Sequence, residues 1–182
     1  MVCILVADGF EETELVVPTD ILRRGGVDVK LVGVTSEEAA STRGVKIKTD
    51  ISLDDLIIYD MDMLVIPGGQ PGVDNLWADE RVKRLISQAS AANKLIGAIC
   101  AAPMLLGRLG LLEGKKATCY PGCEGDLRGA VISENEDTVK DGNFITSKGP
   151  GTAISFGFTL LDAVKDRETA LSVAAGMQIK LL

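Results

Sequence analysis

The sequence predicts an α/β fold in which helices cover both faces of a mostly parallel sheet. Three observations support this prediction: apolar runs of strand length recur along the chain, segments with helical spacing alternate with them, and glycine turns follow several of the runs. The chain has 182 residues, of which 46% are hydrophobic and 25% are charged. This length and composition predict a single domain over residues 1–182.

The first 34 residues predict a strand, a helix and a second strand. VCILVA at 2–7 is apolar throughout, and VDVKLVGV at 27–34 has the alternating residue pattern of a strand. Between them, EETELVVPTDILRRGG begins with acidic residues, ends with arginines and stops at two glycines, as amphipathic helices do. The order predicts a βαβ unit with two parallel strands.

The same alternation continues downstream. Residues 35–44 resemble a linker but are too short to separate two domains. The further predicted elements are a strand with its glycine turn at 61–69, a helix at 81–94, a strand at 95–99, a glycine-rich segment at about 107–129, a hairpin turning at Asp141-Gly142, and helices at about 152–164 and 167–178.

The net charge and the first twelve residues argue against several kinds of partner and location. The formal net charge of −7 argues against nucleic acid or an anionic membrane as the main partner, because both bind clustered Lys and Arg. The opening stretch MVCILVADGFEE lacks the basic region of a signal peptide, and no apolar run reaches the length of a membrane span. We therefore expect a cytoplasmic protein with no membrane partner.

The chain contains no histidine and four cysteines. The absence of histidine excludes Ser-His-Asp and Cys-His catalytic pairs, and with them the usual cysteine and serine proteases, as well as zinc sites with imidazole ligands. Without secretion signals, Cys3, Cys100, Cys119 and Cys123 are expected to be free thiols. Cys119 and Cys123 alone make a poor metal site, so we expect no bound metal.

Cys100 lies where the apolar run LIGAI ends and a helical segment begins. Ala98 and Ala102 flank it two residues away on each side, as a tight strand-to-helix turn around an outward-facing nucleophile requires. A helix N-terminus favours the thiolate, so this interpretation predicts a pKa below the ordinary value of about 8.5. The alternative is a small buried apolar residue with no chemistry. The local sequence leaves both open.

Glu14 is the candidate partner of Cys100. It lies four residues before Pro18, whose missing N–H leaves the Glu14 carbonyl without its helical donor. If the first strand neighbours the strand ending at Ile99, the two side chains face each other, and a buried, protonated Glu14 could donate to the thiolate. The alternative is a solvated acid that stabilises the helix dipole together with the preceding acids.

Two glycine-containing loops complete the candidate site. PGGQPG at 67–72 follows an apolar strand, and its glycines would let a backbone N–H point at an oxyanion, although a plain turn is also possible. KGPGT at 148–152 precedes a helix, with Thr152 as its expected cap. It lacks the spacing of a phosphate-binding loop, so we interpret it as a structural turn.

Taken together, DGFEETELVVPTDILRRGG, VIPGG, AICAAP and TSKGPGT resemble the ThiJ/PfpI superfamily, in the branch that contains DJ-one and its YajL-type bacterial relatives. The resemblance covers nearly the whole chain. It implies a flavodoxin-like α/β sandwich, usually a homodimer, with a nucleophile elbow whose cysteine oxidises readily to sulfinate.

The resemblance also implies roles for individual residues. Arg43, in STRG, matches an arginine that the family brings to the site across the dimer interface, and Tyr120, in CYPG, replaces the histidine of many members, as in the YajL pattern. The implied residues are Cys100 as nucleophile, Glu14 as protonated acid, Gly68, Gly69 and Ala101 as oxyanion-hole donors, and Arg43, Tyr120 and Pro150 as site-lining residues.

The implied activity is the conversion of methylglyoxal or glyoxal to a hydroxy acid without a cofactor, together with repair of early glycation adducts. The substrate would thus be a small aldehyde or a glycated molecule. The alternative is an oxidative-stress redox sensor or a chaperone, in which Cys100 is oxidised to sulfinate without turnover. Both functions need an activated cysteine beside a protonated acid, so the sequence leaves the choice open.

Overall fold

A computed structural model of the protein describes residues 1–180. The strands are β1 (Val2–Val6), β2 (Val29–Gly33), β3 (Glu38–Ala40), β4 (Lys46–Lys48), β5 (Ile51–Ser52), β6 (Met63–Ile66), β7 (Leu95–Ile99), β8 (Lys116–Ala117), β9 (Val131–Ile132), β10 (Thr138–Asp141) and β11 (Phe144–Ser147). The helices are α1 (Glu12–Arg24), α2 (Gly72–Ala78), α3 (Glu80–Ala91), α4 (Pro103–Arg108), α5 (Ala153–Val164) and α6 (Arg167–Gly176).

Seven strands form the central sheet in the order β10-β11-β7-β6-β1-β2-β5. Every pair is parallel except β10 with β11, the predicted hairpin at the sheet edge. The innermost strands are buried along their whole length, as expected for a sheet covered on both faces. The mostly parallel, flavodoxin-like fold predicted from the sequence is confirmed, and its parallel strands bring their carboxyl ends to one edge.

The helices pack in layers against this sheet. Helix α1 packs on α5, which also contacts α6, while α2 packs on α3. Close packing of α5 depends on Gly97 in β7, because a Cβ there would lie 2.7 Å from Cδ2 of Leu160 and 3.1 Å from Cζ of Phe156. Among helices within residues 1–180, none has the length and apolar character needed to cross a bilayer.

Three sequence interpretations need correction. The linker-like residues 35–44 contain β3, which pairs antiparallel with β4, and α2 forms in a segment where no helix was predicted. The first strand does not neighbour the strand ending at Ile99, because β6 lies between β1 and β7. These elements are short or depend on distant partners, so residue periodicity carries little information about them.

Candidate active site

Cys100 occupies the turn between β7 and α4 with a positive backbone φ of 65°. This left-handed conformation is strained for any residue other than glycine and is typical of a nucleophile elbow, which confirms the predicted turn. Two bonds hold the strained backbone: the Cys100 N–H donates to the Ser147 carbonyl over 2.9 Å, and the Cys100 carbonyl accepts from the Tyr120 N–H over 2.8 Å. Ala98 and Ala102 are fully buried on either side.

Glu14 is completely buried, although it lies in the first turn of α1. Its Oε2 accepts a hydrogen bond from the Gly68 N–H over 2.9 Å. Its Oε1 is buried and has no hydrogen-bond partner among residues 1–180. The alternative of a solvated acid at the helix start is therefore wrong for Glu14, and one of its oxygens remains open to a ligand.

Glu14 and Cys100 approach each other across Gly68, which follows β6. A Cβ on residue 68 would lie 2.5 Å from Cβ of Cys100 and 2.6 Å from Oε2 of Glu14. Only glycine leaves room for both side chains at this point. The intervening strand β6 thus does not prevent Glu14 and Cys100 from approaching each other, because Gly68, two residues beyond its end, has no side chain.

The pKa values of the two groups are both raised. Burial raises the pKa of Glu14 from 4.5 to about 7, opposed by hydrogen bonds from Cys100 and Gly68. Burial, together with the adjacent Glu14 carboxylate, raises the pKa of the Cys100 thiol to about 12. The pair therefore loses its first proton near pH 7 and its second far above neutrality.

The prediction of a low thiol pKa for Cys100 alone is wrong. The sulfur is shielded from water, with Cys100 only 9% exposed, and α4 has just six residues, so its dipole is small. Hydrogen bonds from the Gly69 and Ala101 N–H groups lower the pKa, but burial has the larger effect. A thiolate at neutral pH consequently requires Glu14 to hold the proton.

The predicted oxyanion-hole donors divide into two groups. The N–H groups of Gly69 and Ala101 both lower the pKa of the Cys100 thiol, so they are the backbone donors placed to stabilise a nearby oxyanion. The Gly68 N–H is engaged by Glu14, so in this arrangement it supports the acid and is not free for an oxyanion. Gly69 has a φ of 96°, and a Cβ there would lie 2.5 Å from the Glu11 nitrogen.

The three residues predicted to line the site lie at different distances from the Glu14–Cys100 pair. The Tyr120 ring faces Gly149, with Cδ2 lying 3.2 Å from where a Cβ on residue 149 would be. Pro150 is exposed in the turn that follows Gly149. Arg43 is exposed and bonds the Thr42 carbonyl, so within one subunit the structure does not bring it to the cysteine.

The other three cysteines are also free thiols. Burial raises the pKa of Cys3 to about 11 and that of Cys119 to about 12, and Cys123 is partly buried with a raised pKa. Within the described part of the chain, no group of three or more His, Cys, Asp or Glu side chains could hold a metal ion. Cys100 is distinguished from these thiols by its strained backbone and its acid partner.

Two residues beside the pair were missed as site residues in the sequence. Ser147 holds the Cys100 N–H through its carbonyl, and Gly149 lies next to the open oxygen of Glu14, whose Oε1 is 3.9 Å from a Cβ position on residue 149. The only available signal was their place in the TSKGPGT motif. Spacing could not show that this segment returns to the cysteine turn, since β11 pairs with β7 from far along the chain.

Comparison with known proteins gives a family match along most of the chain. The model of the DJ-1/PfpI family matches residues 1–163. Protein dj-1beta of Drosophila melanogaster is 35% identical over 178 residues, which are 97% of this chain and 95% of that protein. A crystal structure of Drosophila melanogaster DJ-1beta has a TM-score of 0.94 at 34% identity, covering 99% of this chain and 98% of that one.

Two further relatives differ in length and in name. Protein DJ-1 homolog B of Arabidopsis thaliana is 36% identical over 181 residues, which are 98% of this chain but 41% of the plant protein. The chain thus spans less than half of that relative. The glutathione-independent glyoxalase DJR-1.2 of Caenorhabditis elegans is 31% identical over 171 residues, which are 93% of this chain and 91% of that protein.

Proposed function

The chain belongs to the DJ-1/PfpI family, and we propose that it is a cofactor-independent glyoxalase that converts methylglyoxal or glyoxal to the corresponding hydroxy acid. Early glycation adducts, which contain the same aldehyde-derived carbons, are the proposed wider substrates of a deglycase activity. One relative bears the name of a glutathione-independent glyoxalase, which supports this choice of substrate class.

The observation that carries the proposal is the open Oε1 of a fully buried Glu14 beside a strained cysteine. A buried carboxyl oxygen without a partner is costly unless a ligand supplies one. The hydroxyl of a hemithioacetal on Cys100 would be such a partner. A pKa of about 7 suits Glu14 to take and return protons at neutral pH.

The first proposed step is addition of Cys100 to the aldehyde. The sulfur forms a bond to the aldehyde carbon, the carbonyl electron pair moves to oxygen, and Glu14 takes the thiol proton. The N–H groups of Gly69 and Ala101 stabilise the negative oxygen as it forms. Proton transfer from Glu14 to that oxygen completes the hemithioacetal.

The second step moves a hydrogen between carbons. Glu14 removes the proton from the former aldehyde carbon and passes it to the neighbouring carbonyl oxygen, giving an enediol. Glu14 then takes the hydroxyl proton of the former aldehyde carbon, which becomes the thioester carbonyl, and delivers a proton to the neighbouring carbon. The former aldehyde carbon is thereby oxidised to a thioester while its neighbour is reduced to an alcohol, so no external oxidant is needed. Water then hydrolyses the thioester, releases lactate from methylglyoxal and restores the Cys100 thiol.

A turnover assay separates this function from a redox sensor. Freshly reduced wild type should form many equivalents of lactate from methylglyoxal without glutathione. Cys100→Ser should lose at least about a thousandfold of this rate, because a serine hydroxyl is far less nucleophilic. Cys123→Ser is the matched control and should retain the wild-type rate. Stoichiometric consumption of aldehyde, or none, would contradict the glyoxalase and favour the sensor.

A homodimer is the proposed assembly. Val16 on α1 and Val45 beside β4 are each 45% exposed, and they are the apolar residues that we propose the second subunit covers. In a dimer, Arg43 of the second subunit is the proposed addition to the site. A monomeric mass by light scattering would contradict this assembly. The four free thiols fit the proposed cytoplasmic location, where cysteines stay reduced.

A further inference from the structure

A chain of hydroxyl groups lies directly behind the nucleophile and its acid partner. Ser147, at the end of β11, is fully buried, and its Oγ lies 2.9 Å from Oγ1 of Thr138 and 2.7 Å from Oγ1 of Thr152. The Thr152 hydroxyl also donates to the Gly149 carbonyl over 2.9 Å and accepts from the Gly149 N–H over 3.1 Å. No step of the proposed reaction uses these hydroxyls.

The direction of this chain follows from one proton per hydroxyl. The Ser147 hydroxyl donates its one proton to the Asp137 carbonyl over 2.8 Å, so the Thr152 hydroxyl is the donor in its 2.7 Å contact with the Ser147 Oγ. Thr152 shares that proton with the Gly149 carbonyl, which lies 2.9 Å from its Oγ1. The Thr152 hydroxyl thus links the Gly149 turn to Ser147, and hydrogen bonds in such a chain strengthen each other.

Both ends of the chain touch the candidate site. The Ser147 carbonyl accepts the N–H of Cys100 and so holds its strained backbone. At the other end, Gly149 is buried between the Tyr120 ring and the open oxygen of Glu14. The turn at Gly149 is thus the wall beside the Oε1 of Glu14.

Thr152 does not have the capping role expected from the sequence. It precedes α5, but its side chain makes no cap hydrogen bond to that helix. The hydroxyl turns back instead to both backbone groups of Gly149 and to Ser147. The bonds to Gly149 form a capping box of the short 3₁₀ turn Pro150–Thr152, and the bond to Ser147 connects this turn to the residue whose carbonyl holds the Cys100 N–H.

We propose that Thr152 is a positioning residue for the Cys100–Glu14 pair: its hydroxyl ties Gly149 to Ser147 and keeps the turn closed over the Oε1 of Glu14. The inference deepens the proposed function, because it concerns the same pair of side chains. It also makes a statement about thiol reactivity that can be tested without any turnover of an aldehyde.

The test compares Thr152→Val, which removes the hydroxyl at nearly constant volume, with Thr152→Ser, which keeps it. Thr49→Val is the matched control, because the buried Thr49 hydroxyl bonds only the Glu37 carbonyl, over 3.1 Å. Two quantities are measured: the pH midpoint of Cys100 alkylation by iodoacetamide, read from the Cys100 peptide by mass spectrometry, and kcat and KM for methylglyoxal.

Thr152→Val should lower the pH midpoint by about one unit, because water that reaches the Oε1 of Glu14 reduces the desolvation of the carboxylate. The charged and titratable groups facing this carboxyl, Glu11 and Cys100, are unchanged in the variant. In turnover, kcat should fall by about tenfold while KM changes by less than about twofold. Thr152→Ser should restore both quantities.

A midpoint for Thr152→Val equal to that of Thr49→Val, or no rescue by serine, would overturn the positioning role. If Thr152→Val fails to fold, Ser147→Ala removes the hydroxyl that accepts from Thr152 and must lower the midpoint instead; an unshifted midpoint overturns the proposal. If wild type forms no lactate but the midpoint still moves, the glyoxalase function fails and the positioning role stands.

Discussion

The carboxyl of Glu14 and the thiol of Cys100 meet across the backbone of Gly68, although the strands that lead to them are not neighbours. Gly68 lies in the loop just after the strand between them, and its N–H donates to the carboxyl. The chemistry of the pair therefore depends on a residue that contributes no side chain.

Gly68→Ala should separate the pair. A Cβ at this position would lie 2.5 Å from Cβ of Cys100 and 2.6 Å from Oε2 of Glu14, so one of these side chains must move. We expect at least about a tenfold loss of Cys100 alkylation at neutral pH and destabilisation by about 1–3 kcal/mol. Peptide mass spectrometry and denaturant unfolding measure the two effects.

Gly176→Ala is the control for Gly68→Ala, because a Cβ there has no atom within 4 Å. It should leave thiol reactivity at the wild-type level. Wild-type reactivity in Gly68→Ala would show that the approach of Glu14 to Cys100 is unimportant for the thiol.

The alkylation rate of Cys100 should rise with pH through an inflection near 7, where the Glu14–Cys100 pair loses its first proton. Glu14→Gln should remove this inflection, because the thiol proton then has no acceptor and burial keeps the thiol pKa raised. Glu12→Gln, on the same helix, is the control and should keep it. An inflection near 7 in Glu14→Gln would assign the titration to another group.

The raised pKa of Glu14 predicts a pH-dependent stability. The folded state binds the proton up to about pH 7, whereas the unfolded carboxyl releases it at its ordinary value of 4.5. The proton on Glu14 therefore stabilises the folded state fully below pH 4.5, and this stabilisation is lost as the pH rises through about 7. The free energy of unfolding should fall by about 3 kcal/mol when this stabilisation is lost completely.

Denaturant unfolding of wild type and Glu14→Gln across this pH range measures the effect. The free energy of unfolding of wild type should fall relative to the variant as the pH rises, while the contributions of other carboxylates cancel in the difference. A difference that stays constant with pH would contradict a raised pKa for Glu14.

Backbone strain at Cys100 predicts an unusual order of stabilities. Because φ is 65°, Cys100→Gly should be more stable than Cys100→Ala by about 1 kcal/mol, the reverse of the usual effect of glycine. Ala89, inside α3, is the control site, where glycine should destabilise by about 0.5–1 kcal/mol. Thermal unfolding of the three variants shows whether the elbow is strained.

Much of the fold could be predicted because its long elements have regular patterns. The first βαβ unit, the hairpin and the last two helices lie close to their predicted positions. The pairing of β3 with β4 and the short α2 were missed, since segments of three to seven residues contain too few periodic positions.

The site was predicted in part. Local pattern identified Cys100, and composition around the first helix drew attention to Glu14. The sign of the Cys100 pKa shift was wrong, because the burial of its sulfur and the approach of the Glu14 carboxylate arise only in the folded chain. The roles of Gly68 and Thr152 likewise depend on which distant groups they meet.

The most direct measurement of the central claim combines product and intermediate in Glu14→Gln. After incubation with methylglyoxal, native mass spectrometry detects the hemithioacetal as a mass gain of the intact protein, a Glu14→Gln/Cys100→Ser double variant shows whether Cys100 carries the adduct, and lactate is counted. The account predicts an adduct on Cys100 together with a loss of lactate formation of about 10²- to 10⁴-fold relative to wild type. Lactate at the wild-type rate, or an adduct confined to other residues, would contradict it.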